Sequence, residues 1–209
     1  MQNEVNKLTS KIFGNSRLDM DFFMYLPTGT AGANGDTITV NCNPVLYLRY
    51  KPPKNISQEY NFSKAAYKVT PKNLYHVIKF FNTIMKWFFD DQYSDLYLLN
   101  ENNELVFNAD YNKLSISTHR GDYDTCIMQA IPTVVKLGDK SYEGINLYIN
   151  TSTYCVPLTF QEVSIIFGIL KDFSFSEEVT KLITCYNYIK TYNSYSSGRE
   201  FGGKTPFDL

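Results

Sequence analysis

Histidine is nearly missing from this chain, with two residues in 209, His76 and His119. Neither has a nucleophile or a carboxylate at a spacing that marks a catalytic pair, so the expectation is a protein that is not an enzyme. Cysteine is almost as scarce. Cys42, Cys126, Cys155 and Cys185 form neither a CxxC pair nor a zinc-ligand pattern, which argues against a bound metal or other cofactor. The first three stand in strand-like text and read as small buried hydrophobes with reduced thiols. Signal-peptide text is lacking, and no apolar run approaches the ~20 residues that span a bilayer, so the expected compartment is the cytoplasm. Excess charge of either sign is lacking too. A net charge of −1 excludes the strongly basic footprint of a protein that grips duplex DNA through overall charge, so any nucleic-acid site has to be a local patch. Finally, the glycine-bearing loop from Pro27 to Asp36 lacks the Gly-Lys-Ser/Thr end of a phosphate-binding loop and is followed by strand-like text, so it reads as a hairpin loop, with the weaker alternative that its glycines let the backbone fold over a ligand.

What the chain does have is an internal echo. Shifting by 89 positions lays Tyr67, Val69 and Thr70 on Val156, Leu158 and Thr159, and Leu74, Val77, Ile78 and Phe81 on Val163, Ile166, Phe167 and Leu170. These matches cross a change of hydrophobic period from 2 to 3.6, that is, from strand to helix. The expected fold is therefore α+β: two repeated units of antiparallel sheet followed by a helix, about residues 17–90 and 94–173. With a C-terminal helix at 176–193 they form one domain over 1–193, leaving 194–209 as a flexible tail. In the first unit Thr70 is the expected N-cap and Pro71 the first helical residue. In the second, Thr159 and Glu162 have capping-box spacing. The apolar face of the first helix is expected to hold Leu74, Val77, Ile78, Phe81, Met85 and Phe88, and that of the second Val163, Ile166, Phe167, Leu170 and Phe173. The preceding sheet is the nearest surface for each face to cover.

In chain order, Gln2 to Asn15 reads as a short helix or a mobile arm. From Leu18 the text alternates, with Met20, Phe22, Met24 and Leu26 on one side and Asp19, Asp21, Phe23 and Tyr25 on the other. Thr37 to Cys42 and Val45 to Lys51 continue as strands. Asp90, Asp91 and Asp95 form an acidic turn after the first helix. A hairpin is expected around Asn100 to Glu104, then strands over Lys113 to Thr118 and Cys126 to Lys136. A further strand buries Ile145, Leu147 and Ile149 and turns Asn146, Tyr148 and Asn150 outward.

The most informative outward set lies on the strand from Val45. Tyr47, Arg49 and Lys51 point away from the core, and between Val45 and Lys68 five basic residues (Arg49, Lys51, Lys54, Lys64, Lys68) face one acidic residue, Glu59. Tyr47, Tyr60 and Phe62 are interleaved among them. A ring offers a face on which a base stacks, and the cations offer partners for phosphates. The same composition also suits a solvated strand whose lysines protect an edge from aggregation. The corresponding face of the second unit is neutral, polar and aromatic.

Two sheet-then-helix units, each with a last strand running into a threonine cap (YKVTPKNLYHVIKFF and YCVPLTFQEVSIIF), resemble the PC4/Whirly superfamily of single-stranded DNA-binding proteins. The layout and composition also look like the PC4-type proteins of crAss-like tailed phages. The resemblance covers about residues 17–173 and lacks the Lys-Gly-Lys-Ala-Ala-Leu motif of plant Whirly proteins. It implies a sheet that stacks bases and a basic groove for the backbone, acting in DNA replication or recombination, in a homo-oligomer. The residues that suit it are Tyr47, Arg49, Lys51, Lys54, Lys64 and Lys68, with Phe23, Tyr25 and Tyr148, and single-stranded DNA or RNA is the expected partner. The last residues, Pro206, Phe207, Asp208 and Leu209, read as a disordered end or as a peptide docked by replication proteins. A different class also fits: a structural or adaptor protein, such as a virion component, that binds protein through exposed aromatics and the tail.

Overall fold

A computed structural model of the chain describes residues 6–26, 44–51, 66–118, 128–149 and 155–197. The described residues hold antiparallel sheets and three helices, a mixed architecture of the expected class. Two compact units make up the chain. The larger contains Lys11–Phe22 and Val45–Phe173, and the smaller contains Met1–Ser10, Phe23–Pro44 and Ser174–Leu209.

The chain enters as strand β1 (Asn6–Gly14), where a helix or an arm was expected. Its alternation is weakly apolar, with Leu8 and Ile12 half-buried between exposed Lys7, Thr9 and Lys11. That is the pattern of an edge strand protected by lysine. A connection of only Asn15 to Arg17 then leads to β2 (Leu18–Leu26), a span that permits only an antiparallel pair. Asn15 shapes the turn: its Oδ1 accepts from the backbone N–H groups of Arg17 at 2.8 Å and Leu18 at 2.7 Å. Strands β3 (Val45–Tyr50) and β4 (Ala66–Val69) complete a four-stranded sheet of order β1-β2-β3-β4. In the larger unit, Leu18, Met20, Phe22, Leu46, Leu48 and Val69 are fully buried, so one face of this sheet is core.

Helix α1 (Leu74–Phe89) begins later than expected. Thr70 offers its carbonyl to the N–H of Leu74 at 3.0 Å, yet Pro71 to Asn73 form a turn and not the first helical turn. Asn73 explains the delay. Its Oδ1 takes the Thr70 N–H at 2.7 Å and its Nδ2 donates to the Lys68 carbonyl at 3.0 Å, holding the junction in a local loop. The buried stripe is Val77, Phe80, Phe81, Ile84, Met85 and Trp87. Leu74, Ile78 and Phe88 are half-buried, so the stripe is rotated from the expected face. Among the described residues, α1 packs extensively on the second helix.

After a 3-10 turn at Asp91–Tyr93, the expected hairpin is present as β5 (Tyr97–Leu99) and β6 (Leu105–Phe107). Strand β7 is only Ile116–Ser117, shorter than the Lys113–Thr118 expected, and pairs with Ala130 and Gln129 of β8 (Met128–Leu137). β8 and β9 (Lys140–Ile149) form a long hairpin whose turn is opened by Gly138 at φ 61. With β10 (Cys155–Thr159) they give a second four-stranded sheet, of order β10-β9-β8-β7, with Ile145, Leu147 and Ile149 buried as expected. Gly144 stands opposite both Thr133 and Thr159, and a Cβ there would come within 2.3 Å of the Leu158 carbonyl oxygen. Only glycine permits that approach.

Helix α2 (Phe160–Asp172) follows directly and carries the expected capping box: Thr159 Oγ1 accepts from the Glu162 N–H, and Glu162 Oε2 accepts from the Thr159 N–H at 2.9 Å. It buries Val163, Ile166 and Leu170 and lies on β9 and β10, while Phe173 meets Phe22 at 5.8 Å between ring centroids. In the smaller unit, α3 (Phe175–Ser197) is longer than the expected 176–193. Ser174 Oγ accepts from the Glu177 N–H at 3.3 Å, a cap that the expected start at Ser176 overlooks. Among the described residues, no helix is long and apolar enough to cross a membrane.

Candidate nucleic-acid interface

The alternation of β3 buries Leu46 and Leu48 and turns Tyr47 and Arg49 to the opposite face, where both are half-buried. Antiparallel pairing sets Tyr47 directly opposite Lys68, and Arg49 opposite Ala66. Directly paired residues have Cβ atoms about 5 Å apart, so the ring, the guanidinium and the ammonium share one small area. Three of the expected site residues, from strands 16 residues apart, are thus brought together. Lys68 is exposed and has no ion-pair partner among the described residues.

The neighbouring strand changes the electrostatics. Asp19 and Asp21 of β2 lie on this same face. Arg49 Nη2 is 3.3 Å from Asp21 Oδ2, and Lys51 Nζ is 2.9 Å from Asp19 Oδ1. Lys11 of β1, a cation absent from the expected set, reaches the same Asp19 oxygen at 3.0 Å. Its signal was the period-two exposure of lysine along β1. Burial pushes the Asp19 carboxyl up, but the hydrogen bonds from Lys51 and Lys11, with their charges, outweigh it and hold the group below its ordinary value. Lys51 also donates to the Asn15 carbonyl at 2.6 Å, so it fastens β3 to the β1–β2 turn as well as adding charge.

That turn is held from its other side. Glu162 Oε1 accepts from Asn15 Nδ2 at 2.8 Å and from Arg17 Nη2. The carboxylate that completes the α2 cap therefore also anchors the sheet carrying Tyr47. Among the described residues Arg17 Nε and Nη1 are buried with no hydrogen-bond partner, and Glu162 is the carboxylate that compensates the guanidinium.

The remaining expected residues are elsewhere. Phe23 is not outward: it is 8% exposed, with Lys7 Nζ lying 4.1 Å from its ring centroid. Alternation correctly put it on the face away from Phe22, but a neighbouring side chain covers that face. Tyr148 lies on β9 of the second sheet, opposite Gln129 and Cys155. Burial raises its phenol above the ordinary value, and the adjacent Cys155 adds to the shift. Cys155 is half-buried, not enclosed. Lys54, Lys64, the side chain of Tyr25, Cys42, Cys126, His119 and the terminal Pro206, Phe207, Asp208 and Leu209 lie outside the described residues, as do the strand at Thr37 to Cys42 and the loop at Pro27 to Asp36. Among the described residues no cluster of His, Cys, Asp and Glu can hold a metal ion.

No family model matches this chain, and no curated protein matches it. Among solved structures it is similar to the crystal structure of WHY1 from Arabidopsis thaliana, a Whirly protein, over 98% of this chain and 99% of that one. The identity is 10% and the TM-score 0.27, a superposition too loose to fix either fold or site.

Proposed function

We propose that this protein binds single-stranded nucleic acid, DNA first, across the outward face of β3 and β4, without reading its sequence and without catalysing a reaction. The observation that carries the reading is the strand register that sets Lys68 against Tyr47, with Arg49 next along the same face. In this reading Tyr47 supplies a surface for one base, and Lys68 meets a phosphate directly. Arg49 meets a second phosphate by exchanging Asp21 for it, a trade between two anions at an exposed site. Lys51 and Lys11 keep the strands in place and raise the local potential. Lys54 and Lys64 extend the cationic path, the two sheet-then-helix segments are copies of one unit, and the role is in replication or recombination.

Anisotropy of a fluorescein-labelled oligo-dT tests this reading. Binding at low salt that weakens steeply as salt rises is the expected result, since neutralised phosphates release counterions. No binding at low salt ends the proposal.

The competing adaptor reading draws on a different observation, the large apolar side chains left in solvent. Tyr75 and Phe89 are 70% exposed and Leu99 66%. Sedimentation without oligonucleotide separates the two, because a scaffold assembles without it.

A further inference from the structure

The last turn of α1 and the acidic turn after it, with residues of β5 and β9, border an open cavity of about 160 Å³ whose lining includes Trp87, Phe88, Phe89 and Tyr97. Three of these side chains are held by contacts of their own. Phe88 stacks on Tyr97 with centroids 5.9 Å apart and planes 6° from parallel, Phe89 stands edge-on to Phe160 at 5.3 Å, and the Tyr97 hydroxyl donates to the Gly144 carbonyl at 2.6 Å. Asp90, Asp91 and Glu143 belong to the same lining. Asp90 accepts from the Gln92 N–H at 3.2 Å, but none of the three has an ion-pair partner among the described residues, and Lys86, one helical turn back, makes no such pair either. The surrounding text deepens the imbalance: from Asp90 to Asn112 there are six carboxylates and no lysine or arginine.

Each property narrows what fits. A volume well below the ~300 Å³ at which small-molecule pockets begin suits the end of one side chain and not a whole cofactor. Ring faces and unpaired carboxylates both attract a cation. Phe89, 70% exposed at the rim, offers apolar surface to the methylene stem behind such a group. We propose that this notch receives the guanidinium of an arginine side chain presented by a partner protein. Arginine fits better than lysine because a planar guanidinium stacks on a ring while pairing with a carboxylate. The site is separate from the β3–β4 face and does not depend on nucleic-acid binding.

Trp87 is the only tryptophan in the chain, so its emission reports the notch directly. The full-length protein is titrated with a tryptophan-free peptide of alternating arginine and serine, with the same peptide carrying lysine, and with one carrying citrulline, which keeps the shape without the charge. Expected are a saturable change with the arginine peptide, weaker binding with lysine and none with citrulline. Asp91→Asn with Glu143→Gln weakens the arginine peptide by about tenfold or more. Both carboxylates are exposed, so the variant keeps its thermal midpoint, whereas Arg49→Ala with Lys68→Ala leaves peptide binding unchanged. The proposal is overturned if the citrulline peptide binds equally, if the carboxylate variant binds as the parent does, or if no titration saturates. An emission change on raising the concentration of the protein alone also overturns it, because the occupant is then a second copy.

Discussion

Two groups of carboxylates in the larger unit have opposite surroundings. Asp19, Asp21 and Glu162 each face a cation, Lys51 with Lys11, Arg49 and Arg17 respectively. Asp90 and Asp91, just after α1, and Glu143 of β9 face none among the described residues. The first group lies between strands or at a helix cap, where charge holds elements in register. The second lies on an exposed rim, where Asp90 caps a 3-10 turn through the Gln92 N–H but no cation among the described residues neutralises the charge, which leaves it open to a ligand. The comparison teaches that carboxylates close in sequence character do different work according to the partners that the topology brings to them.

The sharpest way to break it is Glu162→Ala. Glu162 and Arg17 side chains are only 18% and 17% exposed, so truncation strands a mostly buried guanidinium and opens the α2 cap at once. A loss of about 3–5 kcal/mol in unfolding free energy is expected in urea denaturation. A loss under about 1 kcal/mol would place this pair with ordinary surface charge. Next in size is Tyr47→Ala, expected to weaken oligo-dT binding by about 1–3 kcal/mol if a base stacks there, measured alongside the thermal midpoint to exclude unfolding.

Asp21→Asn sharpens the comparison from the other side. Removing one carboxylate that competes with phosphate for the 42% exposed Arg49 side chain makes oligo-dT bind severalfold more tightly at low salt. Unchanged affinity would mean that Arg49 does not meet phosphate. Asp19 gives a pH signature. Its folded value is lowered, so its stabilisation is complete above the ordinary 3.8 and is lost as pH falls below that value through the folded one. Asp19→Asn therefore flattens the acid limb of the stability profile below about pH 4 and leaves its alkaline limb unmoved. The smallest effect is expected where a charge has no ion-pair partner among the described residues: Glu143→Gln shifts stability by no more than about 0.5 kcal/mol.

Local signals in the text were the ones that proved legible. The Thr159–Glu162 spacing, the hairpin around Asn100 to Glu104 and the alternation of β2, β3 and β9 all rest on neighbours within a few residues, and all appear in the structure. Tyr47, Arg49 and Lys68 were legible as an outward set because a period of two fixes faces. What alternation does not fix is what covers a face. Phe23 is beneath Lys7, and β1 itself escaped notice because an edge strand has too few apolar residues to show its period. The Thr70–Pro71 junction failed for another reason: Asn73, three residues on, competes for the same backbone groups. Nor could the text place Asp19 and Asp21 beside Lys51 and Arg49, since that proximity joins segments about 30 residues apart. The site was visible as a set of cations, and its neutralising partners only as the far side of another strand.

The central claim, that Arg49 and Lys68 meet phosphates on one strand of nucleic acid, is tested most directly by the salt dependence of oligo-dT affinity in the Arg49→Ala, Lys68→Ala double variant. For single strands each neutralised phosphate contributes about 0.7 to the slope of log affinity against log salt, so the variant's slope is expected to be shallower than the parent's by about 1.4. Parallel slopes, with affinity lowered or not, would contradict it.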